Sequence, residues 1–170
     1  MLTGSLVVLR APQPADMAVL AAMRNDAALQ RRLMAQARPN DAARVADWLN
    51  RRLGDPQGLF FVIAEAAADR AVGFVQLTGM DPVHGHGHLG IALVEAAQGR
   101  GYGQEAIQLL EAHARDVFGL RKIVLKVLVE NEAAFRLYRK LGYREVGVLA
   151  EDFYHGGAHH DVRLMEHLLV

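Results

Sequence analysis

The chain has 170 residues, of which 52% are hydrophobic and 22% are charged, a composition typical of a globular domain. Nineteen basic residues balance nineteen acidic ones, so no overall field would attract nucleic acid or a membrane. The absence of cysteine excludes disulfides, zinc-thiolate sites and a cysteine nucleophile. We see neither a signal peptide nor an apolar run near the roughly 18 residues of a membrane span. We therefore expect one cytoplasmic domain over residues 1–170.

The first half of the chain predicts one strand, two helices and a hairpin. Apolar spacing and turn residues place these elements as follows: a strand over 6–9, a helix from about Met17 to Met23 capped by Asp16, an irregular link across 31–39, a helix from about Asp41 to Leu53, and hairpin strands Leu59–Glu65 and Val72–Thr78.

The second half predicts a strand–helix–strand–helix unit followed by two strands. In order, it gives a Gly- and His-rich loop over Asp81–Gly87, a strand His88–Val94, a helix Gly103–Phe118 with Ile107, Leu110, Ala114 and Val117 on its apolar stripe, a strand Ile123–Val129, a helix from Asn131 to Leu141, and strands Tyr143–Leu149 and His160–Leu168. A strand–helix–strand crossover implies a parallel pair in a mostly antiparallel sheet. The fold class is therefore α/β (α+β), with about seven strands and about four helices.

A glycine-rich turn, Gln98-Gly-Arg-Gly-Tyr-Gly-Gln104, joins a predicted strand to a predicted helix N-terminus. Glycines let the backbone approach a phosphate, and the first N–H groups of the helix are directed at it. Arg100 would add a charge-assisted donor. The overlapping segment Gly101–Ala106 fits the loose dinucleotide pattern G-x-G-x-x-A. In that pattern an acidic residue follows about 20 residues after the turn, but Glu130, at the end of the next strand, lies nearly 30 residues past it. We therefore favour another phosphate-bearing ligand.

A second motif follows about thirty residues later: Asn131-Glu-Ala-Ala-Phe-Arg-Leu-Tyr138-Arg-Lys-Leu-Gly-Tyr143. With the Q-x-x-G-x-G turn, it closely resembles the acetyl-coenzyme A signature of the GNAT superfamily of N-acetyltransferases, with Tyr143 in place of Phe. The opening Val-Leu-Arg-Ala-Pro and the segment Glu151–Met165 resemble the branch of ribosomal-protein, spermidine and nucleotide-amino-sugar acetyltransferases. The resemblance implies a GNAT-like fold with splayed central parallel strands and acetyl-CoA as cosubstrate.

The resemblance also implies the cosubstrate-binding residues. They are Ile91, Ala92 and Leu93, whose strand edge would pair with the pantetheine arm, the pyrophosphate-binding turn Gln98, Gly99, Arg100, Gly101, Tyr102, Gly103 and Gln104, and two residues on the following helix, Asn131 and Tyr138. Tyr138 would point toward the thioester sulfur and protonate the departing thiolate. Taken alone, Tyr138 also fits a core position, and Asn131 fits a simple helix cap.

His88 is our candidate for the base that deprotonates the incoming ammonium. It lies at the start of a strand whose same-face neighbours are the small residues Gly90 and Ala92, and a neutral imidazole accepts protons near neutral pH. A histidine hydrogen-bonded at a strand end is the simpler interpretation. Glu151, Asp152 and His155 are competing candidates for binding a cationic amine.

Histidines also form two groups that would resemble metal ligands, His84/His86/His88 and His155/His159/His160. In the first group, interleaved glycines and the lack of a local carboxylate or cysteine favour a solvent-exposed loop instead. The second group lies between the last two predicted strands. No metal is expected.

The leading hypothesis is acetyl transfer to a primary amine by direct attack in a ternary complex, with Tyr138 and His88 as the catalytic residues. The alternatives are a non-catalytic acyl-CoA-binding or sensing domain and an enzyme that uses a longer acyl group. The expected partner is an amine, either a small molecule or a protein N-terminus. Near-neutral net charge argues against a strongly anionic acceptor. We expect a monomer or homodimer.

Overall fold

The computed structural model describes residues 1–169, which form one mixed eight-stranded sheet in the order β1-β2-β3-β4-β5-β6-β8-β7. The strands are β1 Leu2–Thr3, β2 Val7–Arg10, β3 Leu59–Glu65, β4 Ala71–Asp81, β5 His86–Leu93, β6 Lys122–Leu128, β7 Arg144–His155 and β8 Ala158–Leu168. The helices are α1 Met17–Asn25, α2 Ala27–Arg32, α3 Ala42–Leu53, α4 Tyr102–Phe118 and α5 Glu132–Lys140. No helix within residues 1–169 is long and apolar enough to cross a membrane.

The sheet is antiparallel except where β5 runs parallel to β6. That pairing covers only the beginning of β5, from His86 opposite Lys122 to His88 opposite Val124. The rest of β5, Leu89–Leu93, still pairs with β4 but has no partner on the β6 side. The two central strands therefore splay apart, as the family resemblance implied.

Side-chain alternation along the strands divides the core between the two faces of the sheet. On one face, α1 and α3 bury Leu20, Val45 and Trp48 against Phe60 and Phe74. The Trp48 ring packs edge-on against both phenylalanines, at centroid distances of 5.5 and 5.6 Å. The helices α4 and α5 contribute to the larger cluster on the other face.

The larger cluster joins α4 to the centre of the sheet. Ile107 and Leu110 of α4 are fully buried with Val75 and Leu77 of β4. Val117, predicted to continue this stripe, is 62% exposed, because the whole stretch 115–119 at the end of α4 is exposed. That part of the prediction is wrong.

Other differences from the predicted elements lie at element ends. The residues described add a two-residue strand, β1, and a short helix, α2, to the expected set. The Gly- and His-rich loop is shorter than predicted, because β4 continues to Asp81 and β5 begins at His86. The last two strands form a long hairpin that reaches His155 and Ala158. Cross-strand hydrogen bonding therefore extends into segments whose composition favours loops.

Candidate active site

The splay between β5 and β6 opens into a cavity of about 730 Å³ that spans the sheet. One part, here called the turn end, is formed by the free edge of β5 and the Gln98–Gln104 turn. The opposite part, here called the arginine end, is formed by Arg24, Gln30, Trp48, Arg52 and Gln76. A cavity of this size, with apolar walls and a few polar groups, is typical of a small-molecule site.

The backbone of the turn is prepared for an anion. Gly99 and Gly101 have φ values of 73° and 84°, the left-handed region that favours glycine. Gly101 is also the N-cap of α4, so no side chain caps the first N–H groups of this helix. These groups, together with the positive end of the helix dipole, are available to a bound phosphate.

Most of the predicted cosubstrate-binding residues meet at this cavity. Those that line it are Ile91, Ala92, Leu93, Gln98, Gly99, Gly101, Gly103, Gln104, Asn131 and Tyr138. The structure does not bring the side chains of Arg100 and Tyr102 there. Arg100 lies 3.5 Å from Glu65, whose carboxylate also accepts a 3.2 Å hydrogen bond from the Tyr102 hydroxyl. Side-chain roles for these two residues stay predictions.

Glu105, directly after the turn, binds the β1–β2 connection, a contact that no sequence motif indicated. Its carboxylate accepts hydrogen bonds of 2.6–2.9 Å from the backbone of Ser5, Leu6 and Val7 and from the Ser5 hydroxyl. Burial by itself would raise the pKa of Glu105, but these hydrogen bonds outweigh it and hold the pKa below its ordinary value. Glu105 thereby fastens the β1–β2 connection to the first turn of α4.

Tyr138 is a buried residue of α5 that also lines the cavity. Burial raises the pKa of its phenol to about 12. The hydroxyl is therefore protonated throughout the neutral range. Asn131, at the start of the same helix, accepts a hydrogen bond from the Ala134 N–H at 3.3 Å, so its interpretation as a helix cap is confirmed.

Tyr143 is placed differently, although its ring lies 5.6 Å from that of Tyr138. Its hydroxyl donates a 2.7 Å hydrogen bond to the buried Glu111 of α4, and the His167 ring lies 3.1 Å from the same carboxylate oxygen. Burial and the Glu111 carboxylate raise the pKa of Tyr143 far above its ordinary value. The hydroxyl that distinguishes this tyrosine from the Phe of the motif is thus occupied by a hydrogen bond within the core.

His88 lies on β5 at the point where β5 and β6 separate, and it lines the cavity. Its pKa lies below the ordinary histidine value, because the ring is partly removed from water and because His86 and Lys126 are near. The imidazole is therefore neutral, and able to accept a proton, at neutral pH.

The competing amine-binding candidates do not line this cavity. Asp152 forms a 2.9 Å ion pair with Lys126, whose side chain does line it. The Glu151 N–H donates to Asp161, and His155 lies near the tip of the last hairpin, where its carbonyl oxygen is 3.3 Å from a ring nitrogen of His160. Within the described residues, no group of three His, Asp or Glu side chains is arranged to hold a metal ion.

None of the residues at the arginine end was assigned to a site from the sequence. Arg24 and Gln30 come from α1 and α2, Arg52 from α3 and Gln76 from β4. No motif links these positions, because the fold brings them together from separate segments. The one local signal was Asp26, a helix-capping residue type that accepts a hydrogen bond from the Leu29 N–H at 3.0 Å and starts α2.

Comparison with known proteins places the chain among acetyltransferases. The Acetyltransferase (GNAT) domain model matches residues 7–144. Spermidine N(1)-acetyltransferase of Vibrio cholerae is 31% identical over 116 residues, 68% of this chain and 66% of that protein. The enzyme of the same name from Escherichia coli K12 is 31% identical over 66% of this chain and 60% of its own length. The alignments thus span slightly less than two thirds of these relatives.

Solved structures extend the similarity to the whole fold. The crystal structure of spermidine N-acetyltransferase from Vibrio cholerae in complex with CoA and spermine has a TM-score of 0.89 and 25% identity, over 98% of this chain and 97% of that one. Another structure of that enzyme, with a TM-score of 0.80 and 25% identity over 98% and 95% of the two chains, is dodecameric. With the family model covering most of its length, the chain belongs to the GNAT acetyltransferase family, as its two motifs indicated.

Proposed function

We propose that this protein transfers the acetyl group of acetyl-CoA to a primary amine by direct attack in a ternary complex. The observation that carries the proposal is the splay of β5 from β6 directly beside the uncapped, glycine-rich start of α4. The first feature offers an unpaired strand edge and the second offers backbone donors for phosphate. Together they fit an elongated ligand with an amide-bearing arm and a pyrophosphate.

The turn end would hold acetyl-CoA. The unpaired backbone of Leu89–Leu93 is suited to hydrogen-bond the amides of the pantetheine arm, as an added strand would. The N–H groups of the Gln98–Gln104 turn would bind the pyrophosphate. When bound, acetyl-CoA supplies the activated acetyl group as a thioester.

Tyr138 and His88 would handle the two proton transfers. The phenol of Tyr138, held protonated by its raised pKa, would donate to the sulfur as the carbon–sulfur bond breaks. The imidazole of His88, held neutral by its lowered pKa, would accept the proton that the ammonium must lose before its nitrogen can attack. These residues reach the cavity from α5 and from β5, so both groups are available at the splay.

The proposal also covers organisation and partners. One continuous sheet through residues 1–169 supports a single N-acetyltransferase domain, and the relatives that act on spermidine support an amine acceptor. A monomer or homodimer and a cytoplasmic location stay predictions. An acyl-CoA-binding domain without catalysis is the alternative, and the cavity-lining phenol of Tyr138 favours the enzyme.

The test combines melting curves with an acceptor screen. Saturating acetyl-CoA should raise the melting temperature, because it binds only the folded state. An amine panel with acetyl-CoA should then release CoA thiol, which is measured without background since the chain has no cysteine. An unchanged melting curve would contradict the proposal. A raised melting temperature without turnover of any amine would favour the non-catalytic alternative.

A further inference from the structure

The walls of the cavity are cationic. Five basic side chains line it, and each belongs to a different helix or strand: Arg24, Arg32, Arg52, Lys126 and Lys140. Among the described residues that line it, none is an aspartate or a glutamate. Net charge near zero over the whole chain therefore conceals a strong local excess of positive charge.

The charge at the arginine end is not neutralised by the protein. The Arg24 guanidinium lies 5.1 Å from the centre of the Trp48 ring and donates a 3.0 Å hydrogen bond to the neutral amide of Gln30. Its Nε is buried without a hydrogen-bond partner. Burial and the nearby Arg52 and Arg51 lower the pKa of Arg24.

Other basic residues around the cavity show the contrast. Arg31 pairs with Glu130 at 2.5 Å, and Lys126 pairs with Asp152 at 2.9 Å. Within residues 1–169, neither Arg24, Arg32 nor Arg52 forms an ion pair. Arg24 and Arg52 are partly buried, repel each other and lack a carboxylate. They are therefore well placed to accept an anionic group, which their planar donor sets bind strongly.

A second unsatisfied group suggests where the amine would lie. The Oε1 atom of Gln76 is buried without a partner, and Gln76 lines the cavity directly opposite Gly90. His88 is two residues from Gly90 on the same face of β5. An ammonium at this position would donate to Gln76 and lie beside the imidazole, while the arginines face the remainder of the molecule.

We propose that the preferred acceptor is a primary amine that also carries a carboxylate or a phosphate group, bound by Arg24 and Arg52. This inference rests on the proposed acetyl transfer and defines its substrate class. A polyamine, whose remaining groups are all cationic, would meet repulsion here and find no carboxylate in the cavity wall. The proposal departs from the sequence-based expectation, which considered only the net charge of the whole chain, that a strongly anionic acceptor is disfavoured.

Matched pairs of amines test the proposal. Thiol release with acetyl-CoA is measured for tyrosine against tyramine, for O-phosphoethanolamine against ethanolamine, and for spermidine. We expect the anionic member of at least one pair to have a kcat/KM at least about tenfold above that of its partner and of spermidine, since one charge-assisted hydrogen bond is worth about a factor of ten or more. The pair that shows the preference distinguishes carboxylate from phosphate.

A matched pair of variants locates the effect. Arg52 lines the cavity, whereas its neighbour Arg51 is exposed and does not. Arg52→Gln should raise the KM of the anionic amine about tenfold and leave that of acetyl-CoA unchanged, while Arg51→Gln should change neither by more than about twofold. Arg52→Glu should invert the preference and improve turnover of spermidine.

Equal rates within both pairs of amines, or a preference for spermidine, would overturn the assignment of an anionic acceptor. An Arg52→Gln effect on the KM of acetyl-CoA instead of that of the amine would overturn it too. The same holds if none of the five amines is turned over although acetyl-CoA raises the melting temperature. A melting temperature that acetyl-CoA does not change would contradict the proposed function itself.

Discussion

The turn end of the cavity presents backbone to its ligand, whereas the arginine end presents side chains. The turn end is one short segment, Gln98–Gln104, beside the free edge of β5. The arginine end joins charged and polar groups from three helices and a strand. Backbone recognition suits a ligand shared by a whole family, because it tolerates many side chains. Side-chain recognition suits an acceptor that differs between relatives, because single substitutions change it.

The largest effect, loss of acetyl-CoA binding, should follow from a bulky side chain in the glycine turn. Gly101→Val would place a β-branched residue at a φ of 84°, with its Cβ 3.2 Å from Leu6 Cδ1. We expect the rise in melting temperature with acetyl-CoA, about 5–10 °C at a hundred times the Kd, to disappear.

The control for this prediction is Gly119→Val at the other end of α4. Gly119 also has a positive φ, of 65°, but a Cβ there meets no atom within 4 Å. The control carries a comparable backbone strain and should retain the full response to acetyl-CoA. If Gly101→Val responds as strongly as the control does, the turn is not the binding site.

The next largest effect should follow from Tyr138→Phe. Removing a general acid lowers kcat by about 10²–10⁴-fold, and the affinity for acetyl-CoA should change little because the ring is retained. Tyr143→Phe is the matched control, since its hydroxyl bonds to Glu111 within the core. It should reduce stability and leave kcat near that of the parent. Parental kcat in Tyr138→Phe would assign this phenol a structural role only.

The effect of His88→Gln should appear in the pH profile. A base acts only when deprotonated, and the pKa of His88 is lowered, so kcat/KM of the parent should fall below about pH 6.5. His88→Gln should be slower and should lose this acidic limb. His86→Gln should keep the limb and move it toward higher pH, because His86 helps to lower the pKa of His88. An unchanged limb in His88→Gln would identify another base.

The smallest effect concerns the contact between Glu105 and the β1–β2 connection. Glu105→Ala would leave the N–H groups of Ser5, Leu6 and Val7 without their acceptor and should lower the free energy of unfolding by about 1–3 kcal/mol in urea titrations. Because the folded pKa of Glu105 is lowered, its contribution should be complete above its ordinary pKa and be lost as pH falls through the folded value. The control Gln108→Ala, at an exposed position of α4, should change stability little. An equal loss of unfolding free energy in both variants would show that Glu105 does not stabilise the protein through this contact.

The same contrast explains how much the sequence could predict. The glycine turn, the helix after it and the parallel pair of strands follow from contiguous patterns, so the fold and the turn end were predicted. The splay itself followed from the family resemblance. Short elements were harder to predict. The helix α2 has only six residues, too few for a helical pattern of apolar residues to distinguish it from an irregular link.

Arg24, Arg52 and Gln76 could not be assigned to a site from the sequence. Each belongs to a different element, and only tertiary packing brings the three to one cavity. The pairing of Arg100 with Glu65 has the same origin, since Glu65 ends a strand distant in sequence. The local charge of a site depends on which side chains the fold brings together, so it cannot be read from the net charge of the chain.

Initial-rate kinetics test the central claim most directly. Rates of CoA release are measured while acetyl-CoA and the best amine of the acceptor panel are both varied. Direct attack in a ternary complex predicts double-reciprocal lines that intersect, together with an acetylated amine detected by mass in equal amount to the released thiol. Parallel lines, typical of a covalent acetyl-enzyme, or thiol release without an acetylated amine, would contradict the account.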